Sequence, residues 1–168
     1  MSKEFSYPQF ENGVKVISRA GDAVNDMMMN ITAYRMEAGQ SLTFCHAAEE
    51  TAVLLILGKV TFQWNDRRET GQRNSFIEEG PHCLHVCRNV AVTVTAHTGS
   101  EVLVQSTEND REFAPVFYRP EDCRDDIFGL DVFDNKMKRT VRTVFDHRNA
   151  PYSNMVNGEV INHQGGWS

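Results

Sequence analysis

The stretch TAVLLILGKVTFQWND, residues 51–66, decides the fold. It sets valine, leucine, isoleucine, threonine and aromatic residues on both sides of one glycine, Gly58, and closes on Asn-Asp. β-branched and aromatic side chains pack well on a pleated surface, while Gly, Asn and Asp supply the backbone angles of turns. The stretch predicts two strands meeting at Gly58. Similar runs recur as VKVIS (14–18), MNITAYRM (29–36), HCLHVC (82–87), VAVTVTA (90–96), EVLVQS (101–106) and RTVRTVF (139–145), many of them separated by Gly, Asn or Asp. No segment carries an apolar stripe at helical spacing over three turns. The pattern predicts an all-β sandwich or small barrel.

A chain of 168 residues is the size of one ordinary domain. Its 40% hydrophobic and 24% charged residues, without a low-complexity tract, are those of a globular protein. The longest apolar run, AVLLIL at 52–57, is too short to span a bilayer, and MSKEFSYPQF at the start has no apolar signal core, so a cytoplasmic protein without a membrane partner is expected. A formal charge of −6 with scattered arginines offers no broad basic surface, which argues against nucleic acid. Cys45, Cys83, Cys87 and Cys123 read as reduced thiols in that compartment.

From FAPVFYRPEDCRDD onward the spacing loosens, with Pro115, Pro120 and the acids Glu121, Asp122, Asp125 and Asp126. We read residues 1–115 as the barrel and 116–168 as a connector followed by strands. Two-residue alternation in RTVRTVFD puts Arg139, Val141, Thr143 and Phe145 on one face and Thr140, Arg142, Val144 and Asp146 on the other.

Candidate chemistry is sparse. In CLHVC, alternate residues Cys83, His85 and Cys87 share a strand face, but the outer two lie about 13 Å apart along the strand, and Zn–S bonds run about 2.3 Å. One metal cannot take all three, and a buried row of small soft side chains is the simpler reading. His82, His97 and His147 fall near turns or strand ends. No Gly-x-Ser-x-Gly elbow is present, GQRNSF lacks the glycines of a phosphate loop, and the acids of EEGPH and RPEDCRDD read as solvated loop residues.

The segment GQSLTFCHAAEETAVLLILG, residues 39–58, resembles the first cupin motif, in which histidines and a following glutamate point into a jelly-roll barrel and hold a metal. The ligands are depleted: His46 stands alone, and the glutamate position falls near Glu50 or Thr51. In EEGPHCLHVCRNVAVTVTA, where a second motif is expected, VCRNV forms the turn and valine or alanine takes the ligand position. The ending, RTVRTVFDHRNAPYSNMVNGEVINHQGGWS, resembles the segment that joins the two barrels of bicupin uronate isomerases, the family of 5-deoxyglucuronate isomerase and 4-deoxy-5-hexosulose-uronate ketol-isomerase. ITAYRMEAG, EETAVLLILGKVTF, GQRNSFIEEGP and EVLVQSTEN fall in the order of that family's first barrel.

The resemblance implies the amino-terminal cupin barrel of a bicupin, with the metal ligands and isomerising residues all beyond Ser168 in a second barrel that would be this lobe's partner. It implies an aldose–ketose interconversion, 5-deoxyglucuronate to 2-deoxy-5-keto-gluconate in inositol breakdown, in which zinc or another divalent metal polarises the sugar oxygens. Neither a cofactor nor a catalytic residue is expected in this chain, whose role would be scaffolding and assembly. Two other readings stay open. A metal-free sugar-acid-binding or oligomerisation module could hold a carboxylate with Arg35, Arg73 or Arg142. A complete one-barrel enzyme could bind iron or manganese through His46, Glu50 and His85. Met155, Val156, Val160 and Ile161 near the end predict an exposed apolar edge and a homo-oligomer.

Overall fold

The computed structural model describes residues 9–23, 26–163 and Gly165. The start of the chain that was read for a signal core, and all of the closing GGWS except Gly165, lie outside them.

Chain order gives β1 (Val14–Ser18), β2 (Asn30–Met36), β3 (Ser41–Phe44), β4 (Glu49–Trp64), β5 (Arg67–Arg73), β6 (Cys83–Val86), β7 (Val92–Ala96), β8 (Ser100–Glu108) and β9 (Val116–Tyr118). After a short 3₁₀ turn at Pro120–Asp122 come β10 (Arg124–Phe128), β11 (Arg139–Phe145) and β12 (Asn157–Asn162). The expectation of an all-β protein holds: the fold is a cupin jelly roll. Among the described residues no helix is long and apolar enough to cross a membrane.

The two expected strands around Gly58 are a single sixteen-residue strand, β4. Its first half pairs with β6 and β8, and its second half with β5 and β7. Gly58 is the corner at which the chain passes from one layer to the other. It sits at φ +98°, and a Cβ there would lie 2.3 Å from the Ser100 hydroxyl and 2.6 Å from the Gly99 carbonyl. Only glycine makes this passage without strain. One layer runs β1-β2-β8-β4-β6-β9; the other joins β3, β7, the second half of β4, and β5.

Alternation along β4 and β6 builds two cores. Val53, Leu55, Val60, Phe62, Leu84 and Val86 point inward and pack with residues of β7 and β8. Ala52, Leu54 and Cys83 point outward, where they meet Tyr118, Val144, Phe145 and Met155. The second core therefore lies outside the barrel, between its sheet and the polypeptide after residue 139.

Propensity underestimates three strands. β5, RRETGQR, is polar but is held to β4 by a tight turn with Asn65 at φ +47° and by a Thr61–Thr70 hydroxyl contact of 2.8 Å. β9 pairs with β6 inside the segment read as a connector, so the barrel sheet continues through Tyr118. β10, RDDIF, is a strand because arginines neutralise its acids: Asp125 meets Arg142 and Asp126 meets Arg124. The alternation expected along β11 stops at an irregularity between Thr143 and Phe145, which turns both Val144 and Phe145 into the second core.

Replacing Gly58 with alanine is expected to cost about 2–4 kcal/mol, the sum of positive-φ strain and the Ser100 clash. Thermal unfolding of Gly58→Ala beside the parent checks this, and an unchanged midpoint would refute the corner assignment.

Candidate functional site

Arg73, in register with Gly58 at the end of β5, is wholly buried. All five of its N–H groups are engaged. Nη1 donates to the Leu55 carbonyl at 3.1 Å and to Glu159 Oε1 at 2.7 Å, Nη2 to Phe76 and Glu79 carbonyls and to Glu159 Oε2 at 2.7 Å, and Nε to the Glu79 carbonyl. Glu159 is on β12, so this two-pronged pair ties the barrel corner to the three-stranded sheet β10-β11-β12. Arg142, opposite Glu159 in the β11–β12 register, adds a second tie. It donates to both Asp125 oxygens at 2.9 and 3.0 Å and to the Glu79 carbonyl at 2.8 Å. The hydrogen bond to Asp125 raises the Arg142 pKa above its ordinary value.

The second constellation is Glu50 with His85. Outward residues of β4 and β6, they are fully buried, with His85 Nε2 2.9 Å from Glu50 Oε2. The other Glu50 oxygen accepts the Asn154 amide at 2.7 Å and the Ser153 hydroxyl at 3.2 Å. The imidazole stacks on Phe145 with ring centres 4.3 Å apart, and Phe113 lies at 4.7 Å. Burial by itself raises the Glu50 pKa; the bonds from His85 and Asn154, with the charge on His85, outweigh it and hold the carboxyl below its ordinary value. This pair fastens the turn after β11 to the outside of the barrel.

The sequence candidates fall as follows. His46, Glu50 and His85 do not converge, because neighbours on β4 face opposite ways. His46 turns to Glu49 at 3.4 Å, whereas Glu50 faces His85 on the outer side. Among the described residues no three His, Cys, Asp or Glu side chains could hold a metal, so the one-barrel iron or manganese reading does not fit these residues. Cys83 and His85 do share a buried face, as expected, but burial pushes the Cys83 thiol up and the Cys123 thiol up to about 11, which leaves both neutral. Of the carboxylate-binding arginines, Arg73 and Arg142 are committed internally. Arg35, on β2, is exposed, bonded to Glu101 at 3.0 Å and laid over the Phe10 ring at 3.9 Å. Met155 is buried rather than exposed, while Val156 and Val160 are exposed and β12 is paired along one edge by β11. Sequence reasoning missed Glu159 and took Asp125 for a solvated loop acid, whereas it lies on β10 and pairs with Arg142. The available signal was Glu159 itself, the one charge in NGEVIN.

A jelly roll with a three-stranded sheet pinned to its flank defines the class, and the comparisons agree with it. The model of the KduI/IolB family matches residues 5–168, and the chain belongs to that family. An IolB-like protein from Salmonella typhimurium LT2 is similar in structure, with a TM-score of 0.80 at 19% identity over 96% of this chain. The chain spans 60% of the length of that protein. KdgF from Halomonas sp. has a TM-score of 0.45 at 9% identity, covering 65% of this chain and 93% of its own. No curated protein sequence matches the chain.

Replacing Glu159 with glutamine strands a buried guanidinium, and the expected loss is about 3–5 kcal/mol. Arg73→Met should lose at least as much, since it also removes the guanidinium from the carbonyls of Leu55 and Phe76 and leaves the Glu79 carbonyl to Arg142 alone. Denaturant unfolding of the two variants measures both. The Glu50 contribution has a definite pH sense: with its folded pKa depressed, it is present above the unfolded value of about 4.3 and fades as the pH falls through the lower folded value. Glu50→Gln should be less stable at pH 7 and lose less further stability on acidification. Melting curves from neutral to acid pH check the sign; parallel curves for parent and variant would contradict it.

Proposed function

We propose that this chain is the amino-terminal scaffold lobe of a sugar-acid isomerase of the 5-deoxyglucuronate type, converting 5-deoxyglucuronate to 2-deoxy-5-keto-gluconate in the inositol breakdown carried out in the cytoplasm. The observation that carries the reading is the family match over residues 5–168 by a chain that spans 60% of a structurally similar IolB-like protein. The Arg73–Glu159 pin supports it, because it sets the 124–162 sheet rigidly against the barrel as a platform. On this reading the catalytic residues and the divalent metal, zinc or a similar ion, belong to a second cupin barrel after Ser168. This lobe then acts through assembly rather than chemistry.

Two measurements test it together. The mass of the polypeptide in its own cell is expected to lie well above 19.1 kDa, and that polypeptide should isomerise 5-deoxyglucuronate when supplied with zinc. The 168-residue chain alone is expected to give no turnover under the same conditions. Turnover by the short chain, or none by the long one, would overturn the proposal.

A further inference from the structure

Beside the start of β4 lies a cleft of about 500 Å³, within the size range of small-molecule sites. Four parts of the chain line it: Ala48 before β4, Arg88 after β6, Glu108, Asn109 and Asp110 at the end of β8, and Asn154 in the turn before β12. Its walls are fixed by hydrogen bonds. The Asn109 backbone N–H donates to the Ala48 carbonyl at 3.1 Å, and its buried side chain donates to the Tyr152 carbonyl at 2.8 Å and accepts from the Arg111 backbone N–H at 2.9 Å. The Asn154 backbone N–H is held by Glu50, and its side chain donates to the Glu108 carbonyl at 2.8 Å. Both asparagines are committed to the frame, so the chemistry of the cleft falls to Arg88, Glu108 and Asp110. Arg88 contrasts with Arg73. Its side chain is only 33% exposed, and its Nε is buried without a hydrogen-bond partner among the described residues. Its one ion pair is long, Nη2 to Glu112 at 3.4 Å, and is made to a carboxylate that is 78% exposed, where such pairs contribute little. A guanidinium withdrawn this far from water, with one weak protein partner, carries an uncompensated desolvation cost. Glu108 and Asp110 are exposed, and neither carboxylate forms an ion pair or a hydrogen bond among the described residues.

We propose that this cleft binds an uncharged polyol, a small molecule carrying vicinal hydroxyls. The donor set selects that chemistry. Arg88 can only donate, and the ionised Glu108 and Asp110 can only accept. A hydroxyl does both: its oxygen accepts from the guanidinium while its O–H donates to a carboxylate, and the neighbouring hydroxyl repeats the arrangement. Charge separates the polyol from other ligands. One guanidinium beside Glu108, Asp110 and Glu112 leaves the cleft net negative in a chain that already carries −6, so a carboxylate or phosphate ligand is repelled. A simple cation would oppose Arg88 and leave its donors unmet. No aromatic ring lines the cleft, so affinity rests on hydrogen bonds exchanged with water, and the dissociation constant should be about 1–10 mM. The site lies wholly within this chain and does not rest on the isomerase reading.

Titration of the isotope-labelled 168-residue chain with sorbitol to about 300 mM, followed by backbone amide chemical shifts, tests it. Saturable shifts are expected around Ala48, Arg88, Glu108, Asp110 and Asn154. Glucuronate, which adds a carboxylate to a similar set of hydroxyls, should bind about tenfold more weakly or worse. Butane-1,4-diol, without vicinal hydroxyls, should give no saturation. Arg88→Met should abolish sorbitol binding and leave the circular dichroism unchanged. Glu108→Gln combined with Asp110→Asn, at two exposed positions, should weaken sorbitol binding and narrow its margin over glucuronate. Sorbitol shifts that never saturate, or that map to another part of the chain, would overturn the proposal. Glucuronate binding as tightly as sorbitol, or parent-like sorbitol binding by either variant, would overturn it equally.

Discussion

Everything beyond the barrel depends on the burial of one guanidinium. Arg73 cannot leave its site, because three backbone carbonyls and a carboxylate are arranged around it, and only the Glu79 carbonyl has a second guanidinium, that of Arg142, to turn to among its side-chain partners. Two of those carbonyls, Phe76 and Glu79, belong to the loop between β5 and β6, and the carboxylate belongs to β12. One side chain thus fixes a loop, a barrel corner and a distant sheet in a single geometry. Arg142 and Asp125 extend this arrangement, but the Asp125 carboxylate remains open to solvent, where ion pairs contribute less.

The Glu50–His85 pair works on the same principle at the other end of the added sheet. A carboxylate that accepts bonds from a ring nitrogen, a backbone amide and a hydroxyl is costly to expose and specific in what it accepts. The aromatic rings of Phe113 and Phe145 close the site against water. Residues that in a metal-binding barrel would be examined first as ligands are here on the outer wall, acting as a fastening.

The strands with β-branched and aromatic content were legible from sequence because their stabilisation is local to each strand's two faces. β5 and β10 were not, since their polar residues become strand-compatible only through partners far away in the chain: Arg142 lies 17 residues beyond Asp125. The depletion of the cupin ligands could be read from spacing. That Glu50 and His85 face outward depends on which residue of β4 begins the inner row, and a one-residue difference in that phase reverses every side chain. Arg73 could be singled out as a candidate to hold a carboxylate, but its partner is 86 residues away, and no periodicity links the two. The irregularity after Thr143, which sends Val144 and Phe145 to the same core, is likewise invisible to strict alternation.

β4 also bears on how this family can vary in length. Since its halves belong to different layers and meet at Gly58, a codon inserted before the corner would swap the inner and outer rows of residues 49–57 while sparing 59–64. Glu50 would then be driven into the apolar interior and Val53 out of it. The strand can exchange side chains without changing its phase, but a single residue gained or lost is tolerated only in the loops, and the distance from Glu50 to Gly58 acts as a fixed ruler in this fold.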